Sequence, residues 1–181
     1  MTDEQTQIAH AKADELFEQH AASFGSDLNP YSHHVHRVIG LIGLQVDIEP
    51  ELAQPLGIAA FYHDAAIWFD NTWDYLPGSI CRALDELDSD NEELRALVTA
   101  MIDEHHRMRH AHHPHPLVEA FRRADMADVY APVAGAPNVN RSEYRDLVRE
   151  FPYDGFRRML AKAFGRGLRE HPFSPMPMVK F

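Results

Sequence analysis

The chain has 181 residues, a length that suits one domain, and 45% of them are hydrophobic, as in globular proteins. Its 17 basic and 28 acidic side chains give a formal net charge of −11, which argues against a nucleic-acid polymer or an anionic membrane as a partner. The longest apolar run, residues 55–62, is far shorter than the roughly 20 residues that cross a bilayer. The acidic start does not resemble a signal peptide, and Cys81 is the single cysteine. We therefore expect a cytoplasmic protein without disulfides.

Apolar residues recur with helical spacing along the chain. The predicted helices cover, in chain order, residues 3–24, 29–46, 50–69, 79–87, 90–107, 117–130, 142–150 and 154–164. Asp90 and Glu93 have the spacing of a capping box at the start of the fifth helix, and Pro132 follows the sixth. We expect a compact all-α bundle of about seven to eight helices with no significant sheet. This single domain covers residues 1–170, and a proline-rich tail at 171–181 follows it.

Four of these helices place a histidine or an aspartate on their apolar face. These residues are His34, His63 with the adjacent Asp64, His105 with the adjacent His106, and Asp125. Burying an unpaired carboxylate costs several kcal/mol, so converging imidazoles and carboxylates indicate a shared cation. Nitrogen and oxygen ligands of this kind suit Zn, Fe, Mn, Ni or Co better than Ca. A buried His–Asp hydrogen-bond network without metal is the alternative.

The order of these residues resembles the HD superfamily, whose pattern is H…HD…D. The segment from His34 to Val38 resembles the H-x-x-R-V entry, Ala59–Asp64 the His-Asp pair, and Arg122–Asp128 the closing aspartate. The resemblance covers about residues 29–130 and implies an all-α HD fold. It also implies that His34, His63, Asp64 and Asp125 bind a divalent metal, and that the protein is similar to bacterial phosphohydrolases of unassigned substrate.

Two features depart from the phosphate-cleaving members. No lysine follows the His-Asp pair, so a phosphate oxygen would need a second metal or an arginine as its partner. The candidate arginines are Arg37, Arg107, Arg109, Arg122 and Arg123. Arg37 is expected either to contact a phosphate or to hold a neighbouring carboxylate. His105 and His106 resemble the extra histidines of members that hold two metals, and each is a candidate acid or base or second-metal ligand.

The remaining polar residues near the motifs have weaker predictions. His33 and His36 are expected to face solvent. Asp103 and Glu104 are candidates to orient the imidazoles, although surface charge is the favoured reading for Asp103. The aromatic segment 68–75 is expected to line a substrate pocket or to cover the core. Four loop histidines form either a weak metal site or, as we favour, a solvated loop: His110, His112, His113 and His115.

The sequence thus predicts a metal-dependent hydrolase that acts on a nucleotide or small phosphate ester through a metal-activated water. Its catalytic residues would be His105, His106 and Arg37, with one divalent transition metal and a second through His105 and His106 as an option. The substrate would be a small molecule, and homo-oligomers are left open. The alternatives are an HD-type diiron oxygenase, a metal-dependent hydratase, or a non-catalytic metal-binding module.

Overall fold

The computed structural model describes residues 3–130, 139–170 and 178–180, and in these ranges the protein is an all-α bundle, as predicted. Eight helices have ten or more residues and one, α4, has four. Their bounds are α1 Glu4–Phe24, α2 Leu28–Gly43, α3 Ala53–Tyr62, α4 Ala66–Phe69, α5 Leu76–Leu87, α6 Glu92–Glu104, α7 Pro116–Tyr130, α8 Arg141–Glu150 and α9 Phe156–Glu170. Within the described ranges, the β-type pairing consists of a single bridge between Arg107 and Lys180.

Helix starts follow local capping chemistry. The Asp3 carboxylate accepts a hydrogen bond from the Thr6 amide at the start of α1, as expected of an N-cap. The predicted capping box at Asp90 is wrong by one residue, because the Asn91 side chain accepts from the amides of Glu93 and Leu94. Asn91 serves equally well because its amide oxygen is an acceptor of the same reach.

The third predicted helix, residues 50–69, is broken into three pieces. A 3-10 turn spans Pro50–Leu52, α3 ends at Tyr62, and α4 begins at Ala66. Between α3 and α4 a backbone hydrogen bond joins an amide to the carbonyl three residues earlier, from Ala65 to Tyr62. Such bonds wind the backbone more tightly than an α-helix. The break therefore falls on the predicted His-Asp pair itself.

The core is built around α3, whose residues are all buried except Gln54. A helix that is apolar on every side belongs in the interior, and α1 is its most extensive partner. Gly57 permits this packing, because a Cβ there would lie 2.5 Å from the Ala9 carbonyl oxygen and 2.9 Å from the Lys12 Cβ. The close crossing of α1 and α3 therefore requires a residue without a side chain at position 57.

Two sequence predictions fall outside the described residues: Pro132, which follows the sixth predicted helix, and most of the proline-rich tail at 171–181. Of the tail, Met178–Lys180 is described, and it packs on the domain. The Met108 amide donates to the Lys180 carbonyl at 2.8 Å, and Met178 is buried. No described helix combines the length and the apolar character needed to cross a membrane.

The prediction that His36 faces solvent is wrong, because its side chain is buried between α1 and the segment after α8. Its Nδ1 lies 2.7 Å from Nδ1 of His10 and its Nε2 lies 3.0 Å from the Asp14 carboxylate, while its ring stacks on Phe151. His33, by contrast, is half-buried and approaches the Pro152 carbonyl. The burial of both side chains depends on neighbours from distant parts of the chain, and helical periodicity does not indicate such neighbours.

We expect the His10–His36 pair to make folding stability fall in mild acid. Burial, followed by the facing imidazole of His36, lowers the pKa of His10 to about 4, and burial likewise lowers the pKa of His36 to about 4. Unfolded histidines take up protons near pH 6.5, so the folded state loses stability as the pH falls from about 7 towards 4. Urea unfolding should show that His10→Gln removes about 1–2 kcal/mol of the loss between pH 7 and pH 5. The exposed His112→Gln is the control, and equal pH dependence in wild type and His10→Gln would contradict the assignment.

Candidate metal centre

The predicted ligands come together in the folded chain. His34 lies on α2, His63 and Asp64 follow α3, His105 and His106 follow α6, and Asp125 lies on α7. Their side chains form three overlapping groups whose ligand atoms lie within 4.8 Å of one another, and these groups could hold a metal ion. The groups are His34–His63–Asp125, His63–Asp64–His105 and His105–His106–Asp125.

Two of the histidines are oriented by the same device at the ends of two helices. His63 follows α3 and its Nδ1 lies 2.6 Å from the Ala60 carbonyl oxygen, while His105 follows α6 and its Nδ1 lies 2.6 Å from the Ile102 carbonyl oxygen. Carbonyls in the last turn of a helix lack a partner further along the helix. Because a carbonyl only accepts, each Nδ1 carries the proton and each Nε2 presents its lone pair to the cluster.

The third histidine is oriented by a carboxylate. His34 Nδ1 lies 2.8 Å from Asp128 Oδ2, and both side chains are fully buried. Its Nε2 therefore also faces the cluster. Histidines that bind metals usually make such a bond from the nitrogen that does not bind the metal.

The distances between the facing atoms match those between ligands of one ion. Ligand atoms about 2.0–2.2 Å from a transition metal lie about 3.0–3.5 Å apart in tetrahedral or octahedral geometry. His34 Nε2 is 3.2 Å from His63 Nε2 and 3.3 Å from Asp125 Oδ1, and His63 Nε2 is 3.5 Å from Asp64 Oδ2. Three of the ligands that the resemblance implies, His34, His63 and Asp125, are thus within the reach of a single cation, while Asp64 joins His63 and His105 in a second group.

Three buried atoms of the cluster have no hydrogen-bond partner. They are Asp64 Oδ1, Asp125 Oδ1 and His105 Nε2, and the first and last are 3.3 Å apart without forming a hydrogen bond. Buried polar atoms without partners are rare and costly. A hydrogen-bond network alone leaves these atoms unsatisfied, whereas a bound cation would satisfy acceptors of this kind. The donor set therefore fits a divalent transition metal.

The electrostatics of the cluster attract positive charge. Burial opposes ionisation of Asp125, but the His34 imidazole, whose Nε2 lies 3.3 Å from Oδ1, lowers the pKa of the carboxyl to about 2. Burial also opposes a charge on His34, but the neighbouring carboxylates of Asp125 and Asp128 raise its pKa to about 9. Burial lowers the pKa of His63 to about 4, so this imidazole is neutral at pH 7. A proton at His34 and a metal ion at the same point are competing ways to balance two carboxylates.

His106 is held differently from the other three imidazoles. Its Nε2 lies 2.5 Å from the hydroxyl of Tyr75, and its Nδ1 is 4.0 Å from Asp125 Oδ2. Burial raises the pKa of Tyr75 well above its usual value and lowers the pKa of His106 to about 4. The hydroxyl is thus the donor and His106 the acceptor. The sequence predicted Tyr75 only as part of the aromatic segment 68–75, and its bond to His106 was not predicted.

Arg37 takes the second of its two predicted roles and clamps a carboxylate. The side chain is fully buried, with Nε 2.7 Å from Asp128 Oδ1 and Nη2 2.8 Å from Asp128 Oδ2. Its Nη1 donates to the carbonyls of Phe151 and Pro152. Asp128 was missed as a site residue, although it lies three residues after Asp125 and so shares its helix face. Arg37 therefore positions Asp128, which in turn orients His34.

A cavity of about 200 Å³ opens beside the cluster. It touches Asp64, His105, His106 and Asp125, whereas His34 and His63 lie behind them. Its other walls are apolar and aromatic side chains from segment 67–75, α7, α9 and residues 178–179. The predicted pocket role of the aromatic segment 68–75 agrees with this placement for Trp68, Trp73 and Tyr75.

The remaining candidates lie away from the cavity. Arg122 and Arg123 bind the Glu119 carboxylate. Arg107 forms an ion pair with Glu104, and Lys180 forms one with Asp103. Asp103 and Glu104 therefore do not orient the imidazoles of His105 and His106, which the Ile102 carbonyl and the Tyr75 hydroxyl hold instead. Arg109 and the side chain of His110 are exposed. Within the described residues the loop histidines form no three-ligand group.

We expect Arg37→Met to lower the free energy of unfolding by about 3–5 kcal/mol, because Asp128 is left buried without its cationic partner. The double variant Arg37→Met/Asp128→Leu should recover part of this loss, since it removes the isolated charge. Urea unfolding in a chelating buffer measures both. A loss below about 1 kcal/mol in the single variant would contradict the clamp.

Comparisons with known proteins return no relative. No family model matches the chain, and neither a curated protein nor a solved structure matches it. The resemblance to the HD superfamily therefore remains a prediction from the motifs alone.

Proposed function

We propose that this protein is a metal-dependent hydrolase that acts on a small phosphate ester. One observation carries the proposal: histidines and carboxylates from four parts of the chain form three overlapping groups that could hold a metal ion, and one side of this cluster opens into a cavity. The H…HD…D order of the same residues supports the proposal, since hydrolysis of phosphate esters is what the HD resemblance implies. The single cysteine supports a cytoplasmic location for such an enzyme.

The two sides of the cluster suggest a division of labour. His34 and His63 lie on the closed side and would hold the metal, while Asp64, His105 and Asp125 would bind it from the side of the cavity. A divalent ion bound there would supply Lewis acidity and lower the pKa of a bound water. Because one side is open, the arrangement favours a catalytic site over a purely structural one, whose coordination would be closed by protein.

The chain would contribute proton handling through His106 and Tyr75. His106 faces the cavity, and its Nε2 accepts a hydrogen bond from the Tyr75 hydroxyl. In the proposed reaction Tyr75 fixes the His106 ring, and the proton released by the attacking water would pass to the oxygen of the leaving group on the side of the cavity that His106 lines. Arg37 is a positioning residue in this scheme, because its contacts are with Asp128 and not with the cavity.

A diiron oxygenase is the second candidate, and a specific observation favours it. His105 and His106 add a third ligand group to the cluster, and no described lysine or arginine lines the cavity to meet a phosphate. Four histidines and two carboxylates are enough donors for two metals. The hydratase alternative uses the same residues.

We expect the single variants His34→Ala, His63→Ala and Asp64→Ala to lose bound metal, because each removes a donor from a site of few ligands. Purified wild type should carry at least one transition-metal equivalent by elemental analysis. His33→Ala is the matched control, since this neighbour of His34 faces the Pro152 carbonyl instead. Full occupancy in all three variants would refute the ligand assignment.

The two enzyme readings separate by metal content and reaction. We expect phosphomonoesterase activity that a chelator abolishes and Mn²⁺ or Co²⁺ restores, because the ion would supply the nucleophilic water. Release of inorganic phosphate measures this activity. The variant Asp128→Asn should lower metal affinity about 10–100-fold, because Asp128 orients the His34 ligand. Two irons per chain with oxygen uptake and no phosphate release would instead establish the oxygenase reading.

A further inference from the structure

Apart from the four cluster residues, the walls of the cavity are formed by apolar and aromatic side chains. Its inner walls include the half-buried Trp68 and the buried Trp73 and Met159. At its mouth, Tyr130 is 55% exposed and Phe164 is 42% exposed. Exposed apolar side chains that form one patch mark a ligand-binding groove or a surface that binds a protein or a membrane, and the cavity beneath this patch favours the groove.

The charges that the cavity offers to a ligand come from the cluster. Its ionisable lining residues are Asp64, Asp125 and the two histidines, and no described lysine or arginine lines it. The two buried arginines nearest in sequence to the ligands, Arg37 and Arg122, have their guanidinium groups bound by Asp128 and Glu119. The phosphates of a polyanionic nucleotide that the metal did not bind would therefore lie next to carboxylates and apolar walls. Such a placement of negative charge is unfavourable.

We propose that the substrate of this site carries an uncharged apolar body, aliphatic or aromatic, directly next to its reacting group. The inference rests on the proposed hydrolase function for the identity of that group, which the metal centre would bind. The apolar body would occupy the cavity between α7, α9 and residues 178–179. A dry cavity of about 150 Å³ holds benzene, so the 200 Å³ here suits a body slightly larger than one ring.

The homologous series of alkyl phosphates tests this substrate class. Burial of each methylene changes binding by about fourfold, so kcat/KM with Mn²⁺-loaded enzyme should rise about two- to fourfold per carbon from ethyl to hexyl phosphate. Glycerol phosphate and adenosine triphosphate should be poor substrates. A flat series, or a preference for the triphosphate, would overturn the proposal.

Binding can be measured without turnover, because both tryptophans of the chain, Trp68 and Trp73, line the cavity. The probe is 6-bromohexanol, an uncharged alcohol whose bromine quenches tryptophan fluorescence on contact. With the full chain as purified, we expect saturable quenching by 6-bromohexanol and only weak, collisional quenching by 2-bromoethanol. Equal, non-saturating quenching by both alcohols would show that the cavity does not recognise an apolar body.

A pair of variants on α9 provides the matched control. Phe164 and Leu168 lie one turn apart and are 42% and 46% exposed, but only Phe164 lines the cavity. Phe164→Glu should weaken 6-bromohexanol binding at least about tenfold, whereas Leu168→Glu should leave it unchanged. If Phe164→Glu instead dissociates a dimer in sedimentation and leaves quenching intact, the apolar rim is an interface and the proposal is wrong.

The two proposals fail in different ways. Saturable binding of the bromoalcohol together with no phosphate release from any alkyl phosphate would refute the hydrolase and retain the apolar specificity. Phosphate release that is independent of chain length, together with unsaturable quenching, would retain the hydrolase and refute the apolar specificity.

Discussion

The whole site depends on where three imidazole protons sit. Each Nδ1 of His34, His63 and His105 is committed to an acceptor, a carboxylate in one case and a helix-end carbonyl in the other two. The three Nε2 lone pairs are therefore turned towards one another and towards two carboxylates. Electron pairs arranged in this way repel unless positive charge lies among them. Helix ends supply two of these acceptors, because the last carbonyls of any helix lack a partner further along the helix.

A second layer ties this centre to the wall of the cavity. Arg37 grips Asp128 with two nitrogens and reaches the carbonyls of Phe151 and Pro152 with a third. Its guanidinium also lies 4.1 Å from the centre of the Tyr153 ring, and the Tyr153 hydroxyl is 3.2 Å from Asp128 Oδ1. These residues join α8 to α9, and α9 supplies part of the cavity wall. One buried arginine, Arg37, therefore helps to fix both the orientation of His34 and the position of α9.

Helical periodicity predicted most of the fold, because each amphipathic face reports its own burial. It failed where distant segments decide the outcome. His36 lies on a polar-looking position of α2 and is buried by Phe151, more than a hundred residues later in the chain. The break before Asp64 was also missed, because no proline or glycine marks it. A distant contact accompanies the tight turn there, since the Asp64 amide donates to the Tyr31 hydroxyl at 3.3 Å.

The candidate site was predictable to a similar extent, and for the same reason. His34, His63, Asp64, His105, His106 and Asp125 stand out because a polar side chain on an apolar face is conspicuous. Asp128 and Tyr31 escaped notice, and Tyr75 was predicted only as a pocket residue, because their importance lies in what they touch. Asp128 is recognisable only once His34 and Arg37 are seen against it, and Tyr75 only once its hydroxyl meets His106.

The segment Met178–Lys180 lies far along the chain from the motif-bearing helices, yet it forms part of the cavity wall. It is held by a backbone bond from Met108 to Lys180 and by the ion pair of Lys180 with Asp103 at 2.5 Å. Any occupant that touches Met178 and Val179 gains contacts only while this segment is docked. Docking of the segment and filling of the cavity are therefore thermodynamically linked, and each raises the equilibrium constant of the other by the same factor.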